Sequence, residues 1–463
     1  MPTDMPDRNS KKDKTVTLIG AGLNGPLLAL GLVKRGFKVE LYERRPDPRQ
    51  VRLSAGRSIN LALSTRGIHA LSQAGLWSDL RKIAIPMKGR MIHSAASALV
   101  FQPYGKDETE VIYSISRAQL NIALMNAAEA HGVKICFQQR CTAMDHGTGS
   151  LTLRNEETGE EKRLEPSIVI GCDGSASAIR SEMLKASRFN FSQQYLNYGY
   201  KELTIPAGPG GTHALEINAL HIWPRGNFML IALPNVDGTF ACILFLPFEG
   251  ADSFGQLLAP AQVVEFFNTR FPDTLPLMPE LTNDFFANPT GSMVTIKCSP
   301  WHLDGRALLL GDAAHAIVPF FGQGINCGFE DCTCLLELLY RNEADWPRVF
   351  NEFEQARKVN TDAIADLAVE NFVEMRDRVA DPHFLFRKKV ELALEAKYPD
   401  LFVPKYAMVT FHRIPYATAL RRGEVQDRML AELCSGIERV EDLDWIKAES
   451  MIRSQLTPLE LGS

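Results

Sequence analysis

Residues 14–43 of the chain read KTVTLIGAGLNGPLLALGLVKRGFKVELYE. The apolar, β-branched run at 14–20 favours a buried strand, and the glycine pattern GAGLNG at 20–25 follows it at once. A helix is expected at 27–34 and a second strand at 38–42. This order of strand, glycine turn, helix and strand predicts a βαβ unit that binds a dinucleotide.

Each glycine of this turn has a separate task. Gly20 allows the tight turn, Gly22 lets the backbone approach a pyrophosphate, and Gly25 lets the helix pack close to the strand. Pro26 falls in the first helical turn, where its missing N–H costs little. Glu43 ends the second strand and is placed to accept hydrogen bonds from a ribose diol. The pattern leaves open whether the dinucleotide is FAD or NAD(P).

Two later segments bear on that choice. The runs SIVIGCDG at 167–174 and RALLLGDAAH at 306–315 each predict an apolar strand that carries an aspartate, Asp173 or Asp312, to the edge of a sheet. The run GQGIN at 322–326 then opens a helix, whose N–H groups suit the electron-rich pyrimidine edge of a flavin. In this order the three motifs resemble those of flavoprotein hydroxylases, and Asp312 is suited to bind the ribityl chain.

A second nucleotide-binding unit is not found in the sequence. The run GPGG at 208–211 follows a Pro-Ala pair and opens no helix, so a surface loop is the better interpretation. A redox-active CxxC near the first glycine turn, typical of disulfide reductases, is also missing. NAD(P)H is therefore expected to bind transiently, without a Rossmann domain of its own, as in the flavoprotein hydroxylases that the motifs resemble.

Composition limits the class of protein. The 463 residues are too many for one compact core, and a net charge of −5 does not favour nucleic acid or anionic membranes as partners. The polar leader at 1–14 has no signal-peptide core, and no apolar run approaches the roughly 20 residues of a membrane span. Nine cysteines without a paired framework fit a reducing compartment. We expect a soluble, cytoplasmic protein without a bound metal; Cys332 and Cys334 fit small apolar helix residues better than zinc ligands.

The later parts of the chain predict two further units. Strands are expected at 201–205, 219–223, 228–233 and 240–246, separated by turn signals, which favours an antiparallel sheet. Helices are expected at 330–341, 346–375, 385–395 and 417–434. The predicted organisation is a discontinuous FAD-binding domain (1–70, 108–182 and 290–345), a substrate domain (71–107 and 183–289) and a C-terminal helical region (346–463).

Eight runs extend the likeness over nearly the whole chain. They are ERRPDPR at 43–49, GRSINLALSTRG at 56–67, GRMIH at 89–93, QPYG at 102–105, NALHIWP at 218–224, IVPFFGQGINCGFEDC at 317–332, ENFVEM at 370–375 and YAMVTFHRIPYA at 406–417. On these runs the chain resembles the kynurenine 3-monooxygenases, a family of single-component FAD-dependent aromatic hydroxylases. The resemblance implies an α/β (α+β) fold like that of p-hydroxybenzoate hydroxylase: a Rossmann-like FAD-binding domain, an antiparallel substrate sheet and a C-terminal helical cap.

The resemblance also implies the substrate, L-kynurenine, and its site. Its carboxylate would be held by Arg90 and Tyr104, with Asn371 and Tyr406 closing the polar end. Glu374 is expected to pair with the ammonium group or to organise the site. The aromatic ring would lie in an apolar slot formed by Leu220, Met229, Ile231, Phe245, Pro319, Phe320 and Met375. Phe321 departs from members that place a histidine there.

The cofactor-binding residues follow from the motifs and from the resemblance. They are Gly20, Gly22, Leu23, Asn24, Gly25, Glu43, Arg44, Ala62, Arg117, Asp173, Gly311, Asp312, Gln323, Gly324 and Asn326. The resemblance implies that FAD is reduced by NADPH and reacts with O2 to a C4a-hydroperoxide, which hydroxylates kynurenine at ring position 3. The product, 3-hydroxy-L-kynurenine, belongs to tryptophan catabolism and NAD synthesis. No protein side chain is assigned a catalytic role, His315 included.

Other interpretations of the same residues stay open at this point. Arg90 also suits a surface ion pair, Tyr104 and Tyr406 suit packing positions, and Arg117 suits a loop cap. Asn371 and Met375 lie four residues apart, as in ordinary helix packing. A hydroxylase of another aromatic acid shares the fold, whereas a halogenase is disfavoured because no WxWxIP run is present. A non-enzymatic flavoprotein scaffold is a further alternative. The sequence leaves the oligomeric state open, with a homodimer as one option.

Overall fold

The computed structural model describes residues 15–50, 60–95, 99–378 and 381–459. The polar leader predicted at 1–14, the first four residues of the run at 56–67 and parts of the predicted domains lie outside these ranges. Within the described ranges the chain alternates strands and helices up to residue 345 and is helical beyond it.

The strands follow each other along the chain. They are β1 (Thr15–Ile19), β2 (Lys38–Tyr42), β3 (Asn60–Leu63), β4 (Ile85–Met87), β5 (Gly89–His93), β6 (Leu99–Pro103), β7 (Ile112–Ser116), β8 (Lys134–Cys136), β9 (Gln139–Met144), β10 (Leu151–Asn155), β11 (Glu161–Leu164), β12 (Ile168–Gly171), β13 (Asn190–Ile205), β14 (Ala219–Pro224), β15 (Met229–Pro234), β16 (Phe240–Pro247), β17 (Gly291–Ser299), β18 (His302–Leu303) and β19 (Ala307–Leu309).

The α-helices are α1 (Asn24–Val33), α2 (Thr65–Gln73), α3 (Trp77–Leu80), α4 (Arg117–Ala130), α5 (Ala178–Met183), α6 (Pro260–Arg270), α7 (Leu281–Ala287), α8 (Asp312–His315), α9 (Gly324–Arg341), α10 (Trp346–Val373), α11 (Pro382–Lys397), α12 (Lys405–Thr410), α13 (Tyr416–Leu433) and α14 (Trp445–Gln455). A π-helical turn, Glu374–Arg378, continues α10. It replaces the last residues of the helix predicted at 346–375. Short 3₁₀ turns are Arg81–Ile83, Pro209–Gly211, Phe254–Gln256, Leu275–Leu277, Pro319–Phe321 and Val440–Asp442.

The first sheet has the order β18-β19-β12-β1-β2-β8, and all of its pairs except β18–β19 are parallel. Its strands are nearly continuous apolar runs because helices cover both faces. The glycine turn joins β1 to α1 as expected. Gly20 has a φ of +104°, and a Cβ on Gly25 would lie 2.0 Å from the carbonyl oxygen of Gly20. The turn therefore requires glycine at both positions.

The second large sheet has the order β17-β13-β16-β15-β14-β5-β6. The four strands predicted for it are adjacent and antiparallel, as expected. Sequence reasoning missed β5, β6 and β17, which join from distant parts of the chain, and β5 pairs with β14 in parallel. A small sheet, β3-β7-β4, lies close to β14.

The second large sheet buries apolar side chains on both faces. One face packs against α10, α12 and α13, and the other packs against α6 and α7. Alternation along β16 separates them: Phe245 belongs to the first core, and its neighbours Leu244 and Leu246 belong to the second. A further core joins α11, α13 and α14. Among the helices described, none is both long and apolar enough to cross a bilayer.

Candidate active site

A cavity of about 660 Å³ opens at the carboxyl ends of β1, β2 and β12. In open parallel sheets, ligands bind at this edge. Seven of the residues predicted to bind the cofactor line it: Gly20, Gly22, Glu43, Arg44, Arg117, Asp173 and Asp312. We call it the nucleotide cavity.

Glu43 is held in place at the end of β2. Its Oε2 accepts the backbone N–H of Ala21 at 2.8 Å, and its Oε1 accepts the Nε–H of Arg45 at 2.8 Å. Burial alone would raise the pKa of Glu43, but these donors hold that pKa below its ordinary value. Glu43 is therefore an ionised acceptor beside the glycine turn, as ribose recognition requires.

The segments predicted at 167–174 and 306–315 both reach the nucleotide cavity, through Asp173 and Asp312. The Oδ2 of Asp173 accepts the backbone N–H of Ala178 at 2.7 Å, while its Oδ1 is buried without a partner among the described residues. Arg180 donates to the backbone oxygen of Ala313 at 2.8 Å and so joins the two segments. A Cβ built on Gly22 or Gly174 would meet no described atom within 4 Å. The glycines thus border free space, and Asp173 lines the same cavity with one carboxyl oxygen that has no partner among the described residues.

A second cavity, of about 360 Å³, adjoins the nucleotide cavity. The two share the lining residues Gly22, Arg117, Cys172, Gly174 and Asp312. Arg117, the first residue of α4, lines both spaces. Its positive charge therefore stands where the two spaces meet. We call the second space the inner cavity. Together they form one elongated site, which suits a dinucleotide with a ring system at its far end.

Predicted cofactor and substrate residues meet in the inner cavity. From the cofactor set, Leu23, Asn24, Ala62 and Gly324 line it, with the shared Gly22, Arg117 and Asp312. From the substrate set, the lining residues are Arg90, Tyr104, Leu220, Ile231, Phe245, Pro319, Phe320, Met375 and Tyr406. Of the substrate set, the polar residues Arg90, Tyr104 and Tyr406 lie together at one end of the cavity, and the apolar residues form its walls.

Arg90 lies on β5 and is 6% exposed. Its guanidinium carbon is 5.6 Å from the ring centre of Tyr104 and 5.5 Å from that of Tyr406. Its Nη1 is 3.7 Å from the Oε1 of Glu374, and its Nε has no hydrogen-bond partner among the described residues. Desolvation opposes the charge, but the two tyrosines and Glu374 together hold the pKa of Arg90 above its ordinary value. A buried, charged guanidinium with a free donor is suited to a carboxylate ligand.

Three aromatic rings stack beside Arg90. Tyr104 and Tyr406 have ring centres 5.5 Å apart at an interplanar angle of 14°, and Tyr406 stacks on Phe321 at 5.5 Å and 18°. Desolvation raises the pKa of both tyrosines, so each keeps its O–H as a donor at neutral pH. Phe321, where a histidine was expected in some relatives, extends this stack and lines the inner cavity.

Three predicted substrate residues do not line the inner cavity. Met229 is fully buried in the core behind it. Asn371 donates from Nδ2 to the backbone oxygen of Phe320 at 2.7 Å. Glu374 begins the π-helical turn that also carries Met375. Asn371 and Glu374 lie one layer further out, beside the residues that line the inner cavity.

Four predicted cofactor residues line neither cavity and instead organise the turns. Gly25 packs on the glycine turn, and Gly311 lies against Asn24, whose Nδ2 would be 2.1 Å from a Cβ there. Asn326 accepts the backbone N–H of Ser64 at 2.9 Å. Gln323 accepts the O–H of Tyr416 at 2.9 Å. His315, which sequence reasoning left without a catalytic role, is buried against Asp331 at 2.6 Å.

Sequence reasoning missed part of both linings. Asn60, Met87 and Ile112 reach the inner cavity from the small sheet β3-β7-β4, and Arg140 and Arg154 line the nucleotide cavity. Asn60, Met87 and Ile112 lie on short strands whose partners are distant in the chain, so local patterns give little signal. Arg140 and Arg154 lie on β9 and β10, which pair as a hairpin that was not among the predicted strands.

Comparison with known proteins agrees with this geometry. The family model described as "FAD binding domain" matches residues 13–203 and 283–358. The kynurenine 3-monooxygenase of Myxococcus xanthus (strain DK1622) is 55% identical over 450 residues, which cover 97% of this chain and 97% of the relative. The kynurenine 3-monooxygenase of Dictyostelium discoideum is 45% identical over 459 residues, covering 96% of this chain and 98% of the relative.

Solved structures agree on the fold. The tetrameric form of 2-methyl-3-hydroxypyridine-5-carboxylic acid oxygenase matches with a TM-score of 0.66 at 22% identity, covering 81% of this chain and 96% of that chain. PqsL of P. aeruginosa, in complex with 2-aminobenzoylacetate, matches with a TM-score of 0.63 at 17% identity, covering 79% and 97%. The predicted FAD-binding hydroxylase fold is confirmed.

Proposed function

Because this chain belongs to the kynurenine 3-monooxygenase family, we propose that it hydroxylates L-kynurenine at ring position 3 with NADPH and O2. One observation carries the proposal: Arg90, Tyr104 and Tyr406 converge at one end of an apolar cavity that is continuous with the nucleotide cavity. This arrangement fits an aromatic amino acid placed beside a flavin.

The residues present fit FAD. The unused Oδ1 of Asp173 and the open space at Gly22 and Gly174 suit the diphosphate and ribose parts, with Glu43 at the far end. Asp312 and Gly324 border the inner cavity, where the isoalloxazine ring would lie. When bound, FAD takes electrons from NADPH, which binds transiently, and activates O2 for transfer to an aromatic ring.

The polar end of the inner cavity binds the amino acid part of the substrate. Arg90 offers a buried positive charge to the carboxylate, and the hydroxyls of Tyr104 and Tyr406 donate to the same group. Glu374 and Asn371 stand behind this end, where Glu374 balances the charge of Arg90 and Asn371 fixes the backbone of Phe320.

The apolar walls orient the ring and exclude water. Leu220, Ile231 and Phe245 from the sheet face Phe320 and Met375 from the helical side. The aniline nitrogen of kynurenine donates electrons to the ring carbon ortho to it, so no strong protein base is required. Orientation and exclusion of water are then the main contributions of the chain.

The test follows NADPH oxidation by the purified flavin-loaded protein with and without L-kynurenine, with products analysed by mass. We expect stimulation and a product one oxygen atom heavier. Stimulation that yields only hydrogen peroxide would mean that kynurenine acts as an effector and another aromatic acid is the substrate. No stimulation would refute the assignment of kynurenine.

The proposal includes a cytoplasmic location. All nine cysteines lie in the part of the chain that the structure describes, and each is a free thiol. Seven are buried, and desolvation raises the pKa of Cys141 and Cys298 to about 12, which keeps these thiols protonated and unreactive. A reducing compartment suits such a set.

A further inference from the structure

A third cavity, of about 210 Å³, lies behind the polar end of the inner cavity. Arg90, Tyr104 and Tyr406 line both spaces and therefore form the wall between them. We call this third space the outer cavity. Its other walls come from β6 and α11, which the inner cavity does not touch.

The outer cavity combines apolar sides with charged groups. Phe101, Pro103, Leu385, Leu392 and Pro404 provide the apolar surface. Lys388 lies in the lining with its Nζ 3.0 Å from the Oε2 of Glu391, and Glu374 faces it next to Arg90. Positive charge therefore stands at the shared wall, and α11 contributes both signs, with Lys388 and Lys389 beside Glu391 and Glu395.

Glu395 is the exceptional member of this lining. It is 2% exposed, and its Oε1 has no hydrogen-bond partner among the described residues. Buried carboxyl oxygens are nearly always hydrogen-bonded, so an unused acceptor that borders a cavity points to a donor supplied by a ligand. No residue of the proposed hydroxylation site uses this group.

The charges around Glu395 come from several elements. Glu110, Lys106 and Asp107 face it from the segment after β6, His412 lies 4.0 Å from Glu110, and Glu391 is one turn away on α11. Desolvation, together with the negative charge of Glu110, raises the pKa of Glu395 to about 7. The group therefore changes from neutral acid to carboxylate close to physiological pH.

We propose that the outer cavity is a transient binding site for aromatic amino acids, in which Glu395 receives the ammonium group before the ligand crosses the wall into the inner cavity. The inference deepens the proposed function and rests on it, since the aromatic amino acid in question is the substrate. The carboxylate of the ligand would meet Arg90, which serves both cavities, and the ring would lie between Phe101 and Leu392.

Chemical complementarity favours this ligand class over others. An aromatic acid without an amine would leave the unpartnered oxygen of Glu395 without a hydrogen-bond donor. An amine without a carboxylate would leave Arg90 without an anionic partner in the outer cavity. Only a ligand with both groups and an apolar ring matches all parts of the lining.

The experiment measures how fast L-kynurenine binds the oxidised, flavin-loaded enzyme, by rapid mixing without NADPH and following the flavin absorbance. Glu395→Gln should lower the second-order association rate constant at pH 8 by roughly threefold to tenfold, because an attractive charge on the entry route is lost. In steady-state turnover, Glu395→Gln should lower kcat/KM more than it lowers kcat. In the wild type the association rate should rise between about pH 6 and 8 as Glu395 ionises, and in the variant it should not.

Three comparisons make the outcome specific. Glu395→Asp keeps the charge and should recover part of the rate. Glu432→Gln, on the outer face of α13 with a side chain that is 56% exposed, removes a carboxylate elsewhere and should change nothing. The kynurenine analogue without the α-amino group, a net anion, should bind Glu395→Gln no more slowly than it binds the wild type.

Two results would overturn the inference. One is an association rate for L-kynurenine that is unchanged in Glu395→Gln at pH 8. The other is an equal slowing of the analogue that lacks the amine, which would show a general effect on the cavity. If the wild type fails to bind L-kynurenine at all, the proposed function fails first and the inference fails with it.

Discussion

At the scale of single residues, Arg90 concentrates the chemistry of recognition. It is buried on β5, keeps its charge, and stands against two tyrosines that stay protonated. A buried charge is expensive unless it is balanced, and Glu374 at 3.7 Å gives only a loose balance. A substrate carboxylate would complete it.

Arg90→Ala should therefore weaken binding of L-kynurenine strongly. Truncating one partner of a buried charge pair costs about 2 kcal/mol or more, which is at least roughly thirtyfold in Kd. Titration of the flavin absorbance with kynurenine measures this. An Arg90→Ala enzyme with wild-type affinity would remove Arg90 from the proposed site.

Tyr406→Phe separates the hydroxyl from the ring. The stack with Tyr104 and Phe321 is kept, so the melting temperature should not change. Loss of one hydrogen bond to a charged group should raise the Kd for kynurenine by about tenfold or more. Tyr340→Phe, at a side chain that is 83% exposed, serves as the matched control. Equal affinities in the two variants would assign Tyr406 to packing alone.

At the scale of elements, the turn between β1 and α1 shows how three glycines of one motif differ. Gly20 and Gly25 are required by the backbone itself, since a Cβ on Gly25 would meet the carbonyl oxygen of Gly20 at 2.0 Å. A Cβ on Gly22 would meet no described atom within 4 Å. The protein does not need glycine at 22 for folding, which leaves the ligand as the reason for it.

The pair Gly22→Val and Gly25→Val should therefore behave differently. Flavin-free Gly22→Val should melt close to the flavin-free wild type but lose the stabilisation by FAD, which is about 2.7 kcal/mol at a hundred times Kd. Gly25→Val should melt lower even without FAD, because α1 cannot pack on the turn. Thermal melting of each protein with and without FAD checks both. A normal FAD response in Gly22→Val would refute its position beside the diphosphate.

The contrast between elements also shows what sequence can predict. The units built from neighbours in sequence, such as the first βαβ unit and the four central strands of the second sheet, appear where they were expected. Arg90 and Tyr104 were named from motifs, and the local pairing of β5 with β6 brings them together. Their meeting with the apolar wall at Leu220 depends instead on β5 pairing with β14, which lies far along the chain. Loop-closing pairings of this kind leave no periodic pattern in the chain. The π-helical turn at Glu374–Arg378 likewise has no sequence signature of its own.

At the scale of the whole molecule, a buried ionic cluster joins the FAD-binding part to the C-terminal helices. Arg66 on α2 contacts Glu330 on α9 and the backbone oxygen of Ile414. Arg357 on α10 contacts Glu330 and Asp331, each at 2.6 Å. The cluster is nearly free of solvent. The predicted domain boundaries stay predictions, but these contacts show that the helical region is bound tightly to the rest.

Arg357→Met should destabilise the protein by about 3–5 kcal/mol, because it leaves two buried carboxylates without their shared partner. Urea unfolding at pH 7 measures this. Arg348→Met removes an exposed arginine from the same helix and should leave the unfolding midpoint unchanged. If Arg357→Met changes the free energy of unfolding only slightly, then solvent or a local rearrangement stabilises the carboxylates of Glu330 and Asp331 in its place.

The same cluster predicts the response to acid. Burial alone would raise the pKa of Glu330 and Asp331, but Arg357, Arg66 and His315 hold it below the ordinary value. Carboxyls with a depressed folded-state pKa contribute stability that is fully present above their unfolded pKa, about 4, and is lost as pH falls through the folded value. Wild-type stability should fall below about pH 4, and Arg357→Met should lose less over that range. Equal losses in both proteins would exclude the cluster as the cause.

The polar end of the inner cavity is assembled from segments far apart in the chain: Arg90 and Tyr104 come early, and Tyr406 comes about 300 residues later. During synthesis, the glycine turn and most of the nucleotide cavity leave the ribosome long before Tyr406 does. A growing chain can therefore acquire its cofactor pocket while its substrate pocket does not yet exist. Premature termination anywhere before α12 would therefore yield a protein that lacks Tyr406 and cannot complete its substrate pocket.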